Sequence, residues 1–130
     1  VPSGTSWYFP NPSEVAVADD FHGPWTVLGN PHRSDTSGTS FHSQISSVFT
    51  LENGRHIALA DRWLPNVSDE TIHRAWRATE TQFTGGNPDP QIEAIVSEGA
   101  PDTSSAQHVW LEIRFEDGQP VIEWQDAWRP

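Results

Sequence analysis

The stretch that decides the fold is QISSVFTLENGRHIALA, residues 44–60. It holds two apolar runs separated by Asn53-Gly54, a dipeptide that tolerates the positive φ angles of a tight hairpin turn. We therefore predict two antiparallel strands that are joined at this dipeptide. A second hairpin is predicted from residues 109–115 and 120–124 around Asp117-Gly118, with apolar and charged residues alternating along its first strand.

Upstream of these hairpins, residues 14–19 alternate in the manner of a strand, and residues 25–28 form an apolar run of the same kind. Gly23-Pro24 lies between the two segments and favours a turn. We expect an antiparallel pair of strands in this part of the chain. The interval between these strands and residue 44 is polar and rich in turn-forming residues, which is typical of a loop.

The two hairpins are separated by an insertion, residues 64–106, that begins with the pattern of a helix. Ser68 can cap the helix, and apolar side chains then recur every three or four residues until Gly85-Gly86. We predict one helix over residues 68–83. The polar remainder of the insertion is expected to form a mobile loop.

Composition restricts the function classes that remain open. With 130 residues, 35% of them hydrophobic, the chain can supply one core and is expected to form a single domain. The net charge is −11 and all seven basic residues are arginines, which opposes binding to nucleic acid or to an anionic membrane surface. The lack of cysteine excludes disulfides and thiol nucleophiles. A secreted and a cytoplasmic bacterial location are both compatible with this composition.

Several motifs, taken in order along the chain, resemble one known family. They are Ala18-Asp19-Asp20-Phe21-His22-Gly23-Pro24-Trp25, Ser43-Gln44, Asp61-Arg62-Trp63, Val109-Trp110-Leu111 and Ile122-Glu123-Trp124-Gln125-Asp126-Ala127-Trp128. Together they resemble the last part of the five-bladed propeller of glycoside hydrolase family 43, in its exo-β-1,3-galactanase-like branch. The resemblance covers nearly the whole chain, whereas the chain is long enough for only a fraction of the family domain.

The resemblance implies an all-β fold of antiparallel, propeller-like blades, a partial five-bladed β-propeller with one short inserted helix. A blade takes about 40–50 residues, so the chain has room for about two blades and an insertion. Within a single domain, 1–130, we expect a first blade portion and loop at 1–39. The second blade portion would comprise 40–63 and 107–130, interrupted by the helix-plus-loop insertion at 64–106.

The most specific chemical candidate is Gln44. In the galactanase-like branch, the glutamine of the Ser-Gln motif is proposed to position or activate the attacking water in place of the usual aspartate base. An amide can do this only when its carbonyl oxygen is held against the water by a pre-organised neighbourhood. The alternative is a structural glutamine that bonds a neighbouring strand or a buried water.

Four further residues are expected to bind substrate: Arg62, Trp63, His42 and Asp61. Arginine can bond sugar hydroxyls and a tryptophan ring can stack on a pyranose, although Trp63 is equally compatible with a core role. Asp61-Arg62 could instead form a structural ion pair between blades, and of the two residues Asp61 is the one for which a structural role is favoured. We expect Gln44, Arg62 and Trp63 to approach one another at one end of the sheet. Trp25, Trp110 and Trp124 lie in alternating strands and are predicted to be core residues.

The family's proton-donating carboxylate lies upstream of the segments that the chain resembles, so we predict that the isolated chain is inactive. No metal site and no cofactor are expected. The implied ligand is a galactan-type oligosaccharide, from plant-type galactan or arabinogalactan side chains. The alternative is a non-catalytic carbohydrate-binding protein or a structural half-propeller. Because an incomplete ring leaves open flanks, we expect a homo-oligomer or association with the missing propeller blades.

Overall fold

The computed structural model describes residues 2–3, 9–87, 90, 102–127 and 129 of the 130-residue chain. Within these residues the chain is mostly β-structure, arranged as two antiparallel sheets, together with a helix. The elements are β1 (Pro2–Ser3), β2 (Glu14–Val17), β3 (Thr26–Gly29), β4 (Gln44–Thr50), β5 (His56–Arg62), α1 (Asp69–Phe83), β6 (Gln107–Glu116) and β7 (Gln119–Ile122). The predicted all-β antiparallel fold with an inserted helix is confirmed.

The small sheet has the strand order β1-β2-β3, and the predicted antiparallel pairing of β2 with β3 is confirmed. The register of this pair shifts between Val15 and Ala16, so the two strands are not a regular ladder. Two apolar side chains of the sheet are exposed: Val17 is 46% and Val27 is 61% accessible. The small sheet therefore leaves part of its apolar surface uncovered.

The large sheet has the strand order β4-β5-β6-β7, with every neighbouring pair antiparallel. Side chains alternate between its two faces, and one face carries a core of Ala58, Ala60, Leu111 and Ile122. Phe41 packs against this core from the loop that precedes β4. Strands β5 and β6 are direct neighbours in the sheet, although the whole insertion separates them along the chain.

Both predicted hairpins form, and only the turn of the first, at Asn53-Gly54, differs from the expectation. Asp117 and Gly118 adopt φ angles of 51° and 76° between the paired residues Glu116 and Gln119, as a two-residue type I′ turn requires. In the β4–β5 hairpin, Gly54 has a φ of 84° whereas Asn53 stays outside the left-handed region. The longer link, residues 51–55, lets Asn53 Oδ1 accept a hydrogen bond from the Arg55 N–H at 3.1 Å instead.

Helix α1 begins where the sequence predicts it. Ser68 Oγ accepts a hydrogen bond from the Thr71 N–H at 3.3 Å, as an N-terminal cap does. The buried face of the helix, Ile72 and Ala75, packs on Phe9 and on other apolar residues that precede the helix. Residues 88–89 and 91–101, where the mobile loop is predicted, lie outside the described residues. None of the described helices is long and apolar enough to cross a membrane.

Candidate functional site

Three polar side chains form a row across one face of the large sheet, at the end where β4 and β6 begin and β5 finishes. Gln44 lies opposite Asp61, and Asp61 lies opposite His108. Side chains that face each other in this way have Cβ atoms about 4.5–5.5 Å apart. We call Gln44, Asp61 and His108 the polar row.

Two of the three members of the polar row are bonded to each other. His108 Nδ1 donates to Asp61 Oδ1 at 2.8 Å, which fixes the orientation of the imidazole. The His108 side chain is 70% exposed, whereas that of Asp61 is 19% exposed. The carboxylate is therefore sheltered, and the imidazole presents its remaining nitrogen toward the surface.

Gln44 is held from a different direction. Its Nε2 donates to the backbone carbonyl of Phe9 at 3.4 Å. This bond orients the amide group of Gln44, whose oxygen is a hydrogen-bond acceptor. Trp63 packs against the buried cluster that includes Phe9, the residue whose backbone carbonyl accepts the Gln44 hydrogen bond.

The residues just before Gln44 have an unusual backbone conformation. Ser40, Phe41 and His42 have φ angles of 53°, 58° and 57°, a left-handed turn of three residues that are not glycine. Such a conformation costs roughly 1–2 kcal/mol per residue and persists only where surrounding contacts fix it. Ser43 Oγ closes the turn by donating to the Ser40 carbonyl at 2.6 Å.

Asp35 is the principal support of this left-handed turn. Its carboxylate accepts hydrogen bonds from Ser37 Oγ at 2.5 Å and from the Thr39 N–H at 2.8 Å. Burial by itself would raise the pKa of Asp35, but these bonds and others from backbone N–H groups hold it below its ordinary value. The ionised carboxylate thus stabilises the turn that leads into Gln44.

Helix α1 contacts the same loop through hydrogen bonds of two histidine side chains. His42 Nε2 donates to Asp69 Oδ1 at 2.6 Å, and His73 Nε2 donates to the Ser37 carbonyl at 2.5 Å. Asp69 and His73 are four residues apart and so lie on one face of the helix. The structure therefore places His42, a predicted substrate-binding residue, against the helix and outside the polar row.

Arg62 lies at the same end of the sheet as Gln44 but on the opposite face. It follows Asp61 directly in β5, and consecutive residues of a strand point to opposite faces. Its guanidinium lies over the ring of Trp124, with the Cζ atom 5.1 Å from the ring centroid. The expectation that Gln44, Arg62 and Trp63 approach one another is therefore wrong for Arg62.

The prediction of three core tryptophans is also wrong. Trp25 is 44%, Trp110 is 50% and Trp124 is 38% exposed. Alternation indicates which face a side chain occupies, but it does not tell whether that face is covered. Trp110 makes an edge contact with Phe49 at 5.6 Å on the face of the polar row, while Trp124 lies beyond the end of β7.

Sequence reasoning missed His108. The apolar runs of β5 and β6 are similar, and aligning them so that Ala60 pairs with Val109 sets His108 opposite Asp61. This alignment is the signal that could have identified His108. Among the described residues, no group of three or more His, Asp or Glu side chains is arranged to hold a metal ion.

Comparisons with known proteins give one consistent result. No protein-family model and no curated protein matches the chain significantly. The structure is similar to that of the family GH43 β-1,3-galactosidase BT3683 with galactodeoxynojirimycin, at a TM-score of 0.61 and 23% identity. It is similar also to the GH43 β-1,3-galactosidase BT0265, at a TM-score of 0.62 and 25% identity.

The extent of these matches is asymmetric. Each covers 97% of this chain, but only 27% of BT3683 and 20% of BT0265. The chain therefore has the fold of part of a family 43 glycoside hydrolase, and the resemblance expected from the sequence motifs is confirmed. Because the chain spans so little of these proteins, their activity is not transferred to it by the similarity alone.

Proposed function

We propose that the chain is the C-terminal part of a family 43-like, carbohydrate-active protein and that the polar row forms part of its sugar site. The observation that supports this most strongly is the convergence of Gln44, Asp61 and His108 at one end of the large sheet. The structural similarity to two β-1,3-galactosidases favours a galactan-type ligand.

In this proposal, Gln44 positions the attacking water. The Phe9 carbonyl fixes its amide nitrogen, so that the amide oxygen can accept a hydrogen bond from the water. Asp61 holds His108, whose exposed ring can bond a sugar hydroxyl. Asp61 therefore has an orienting role, and Trp63 contributes an aromatic surface near Phe9.

Catalysis requires in addition an acid that protonates the leaving oxygen, a step commonly worth ~10²–10⁴ in rate. The carboxylate of the polar row, Asp61, is already bonded to His108. We therefore propose that the 130-residue chain binds sugar, and that turnover needs further blades that carry a glutamate acid. Binding without catalysis is the second candidate function.

The test is calorimetric titration of the chain with β-1,3-linked galacto-oligosaccharides. We expect Gln44→Ala to weaken binding about tenfold, the effect of losing one or two hydrogen bonds at a buried contact. The matched control is Gln119→Ala, because Gln119 lies at the far end of the same sheet, next to the Asp117-Gly118 turn. Equal affinities for the wild type and Gln44→Ala would contradict a role for Gln44 in binding.

Release of galactose from β-1,3-galactan is the second readout. None is expected from the 130-residue chain, and release is expected when the upstream blades are supplied in the same polypeptide or in trans. Turnover by the purified chain alone, abolished in Gln44→Ala, would show that an acid within these 130 residues is sufficient. It would overturn the proposal that further blades must supply the acid.

A further inference from the structure

A second cleft lies beside the polar row, at the edge of β6 that β7 leaves open, and His108 of the polar row is one of its lining residues. Strand β7 pairs with β6 only as far as Ile122, opposite Ile113. Beyond this point the chain diverges from β6, and an open cleft of about 500 Å³ separates them. We call it the Arg62 cleft. Its lining residues are Arg62, Gln107, His108, Val109, Trp110, Trp124, Gln125, Asp126 and Ala127.

Arg62 is the unexplained residue of this cleft. Its guanidinium stacks on Trp124, but among the described residues it takes part in no ion pair, and its Nε is buried without a hydrogen-bond partner. Burial lowers the pKa of Arg62, because desolvation disfavours the charged form of the guanidinium. A half-buried guanidinium with unused donors is a site that lacks its acceptor.

Two carboxylates near Arg62 already accept hydrogen bonds from other side chains: Asp61, its neighbour in β5, and Asp126, which lines the cleft. Asp61 accepts from His108 at 2.8 Å. Asp126 accepts from Trp124 Nε1 at 2.9 Å, a bond that also fixes the indole ring in the cleft wall. The acceptor that suits Arg62 is therefore an external oxyanion, because the planar guanidinium matches a carboxylate with two parallel hydrogen bonds.

The rest of the lining is typical of a sugar site. Trp124 is 38% exposed and offers part of its ring to the cleft, and the amides of Gln107 and Gln125 can each donate to and accept from hydroxyl groups. The volume lies within the range of small-molecule pockets, about 300–1,000 Å³. A single acidic side chain from another protein would leave most of this space and these amides unused.

We propose that the Arg62 cleft binds an acidic sugar, a uronate whose carboxylate pairs with Arg62 while its ring lies against Trp124 and its hydroxyls bond the two amides. The proposal rests on the carbohydrate-directed function proposed above, but its charged contact is Arg62, which is not a member of the polar row. It adds a ligand class, a negatively charged monosaccharide unit, to the neutral sugar that is proposed for the polar row.

The experiment titrates the 130-residue chain with D-glucuronate and D-galacturonate, and with D-galactose as the neutral counterpart, by calorimetry. We expect a uronate to bind at least about tenfold more tightly than galactose, since a charge-assisted pair contributes about 1.5–3 kcal/mol. Added salt should weaken uronate binding and leave galactose binding unaffected.

Two arginine variants make the test specific. Arg62→Gln should weaken uronate binding about tenfold or more, while Arg33→Gln should not change it, because Arg33 is an exposed arginine that pairs with Glu116 elsewhere. Arg62→Lys should restore part of the affinity, since it keeps the charge but loses the two-point geometry. Equal uronate affinities for the wild type and Arg62→Gln, or equal affinities for uronate and galactose, would overturn the proposal.

The result separates this site from the polar row. Gln44→Ala should reduce the binding of neutral galacto-oligosaccharides and spare that of uronate, and Arg62→Gln should do the reverse. Failure of only one arm rejects only one site. If a longer protein with upstream blades loses the uronate binding that the 130-residue chain shows, a protein carboxylate occupies Arg62 in the assembled fold, and the sugar assignment is wrong.

Discussion

At the scale of single residues, the buried side chain of His32 links the stability of the fold to pH. His32 is 1% exposed, and neither of its ring nitrogens has a hydrogen-bond partner among the described residues. Its ring makes an edge contact with Phe41 at 5.2 Å. Burial lowers the pKa of His32 to about 4, although the charges of Asp35 and Glu123 act in the opposite direction. His32 is therefore neutral in the folded protein at neutral pH.

This predicts a loss of stability in mild acid. The pKa of His32 falls from 6.5 to about 4 on folding, so the unfolded chain binds the proton more readily between these values. The free energy of unfolding should fall by about 3 kcal/mol as the pH decreases from about 6.5 to about 4, and this contribution should then level off. Urea denaturation of the wild type and His32→Phe across this range measures the effect.

The variant isolates the contribution because the other titrating groups remain in both proteins. His22→Gln is the matched control, since His22 is an exposed histidine. If the wild type and His32→Phe lose stability in parallel as the pH falls, the burial of neutral His32 does not determine the acid sensitivity.

At the scale of elements, local signals were sufficient for the hairpins and the helix but not for the site. Asp117-Gly118, Asn53-Gly54 and the Ser68 cap are all recognised from neighbouring residues. The polar row depends on the register between β5 and β6, which the insertion separates in sequence. No local pattern reports that register, and so His108 was overlooked.

The placement of Arg62 was predictable in principle. Asp61 and Arg62 are consecutive in a strand, so only one of them can share a face with Gln44. The exposure of three tryptophans is a different matter, because it depends on what covers the sheet and not on the period of the strand. The φ angles of the turn at Ser40 have no sequence signal, since none of its residues is a glycine.

Helix α1 should be an integral part of the fold and not an appendage. Ile72 is fully buried among Phe9, Leu64 and Ala75, so Ile72→Ala should lower the free energy of unfolding by about 2–5 kcal/mol. Glu80→Ala, an exposed change on the same helix, should stay within about 0.5 kcal/mol of the wild type. Chemical denaturation measures both. A cost for Ile72→Ala as small as that of the control would mean that the helix packs only loosely.

At the scale of the whole molecule, uncovered apolar surface and a large negative charge oppose each other. Phe21 is 83% and Trp25 is 44% exposed, in addition to the two valines of the small sheet. Apolar groups left open to water favour association, whereas a net charge of −11 disfavours it between identical chains. Association should therefore depend on ionic strength.

We predict that the chain forms a homodimer or a larger closed assembly that buries at least ~1,000 Å² in total, and that added salt strengthens it by screening the repulsion. Light scattering at micromolar concentration, at low and at high salt, measures the mass. Val27→Asp should weaken association by placing a charge in the exposed apolar surface, and Thr26→Asp on the neighbouring position is the control. A monomer under both salt conditions would reject the prediction.

The junction between β5 and β6 has a consequence for the order in which the molecule folds. Hairpins of adjacent strands form in about 1–10 μs, whereas closing the long segment 63–106 costs about 3 kcal/mol of chain entropy before the β5–β6 ladder offsets it. This closure is therefore expected to be a late and slow step. Asp61 and His108 face each other across the same junction, so the polar row comes into existence only when this step is complete.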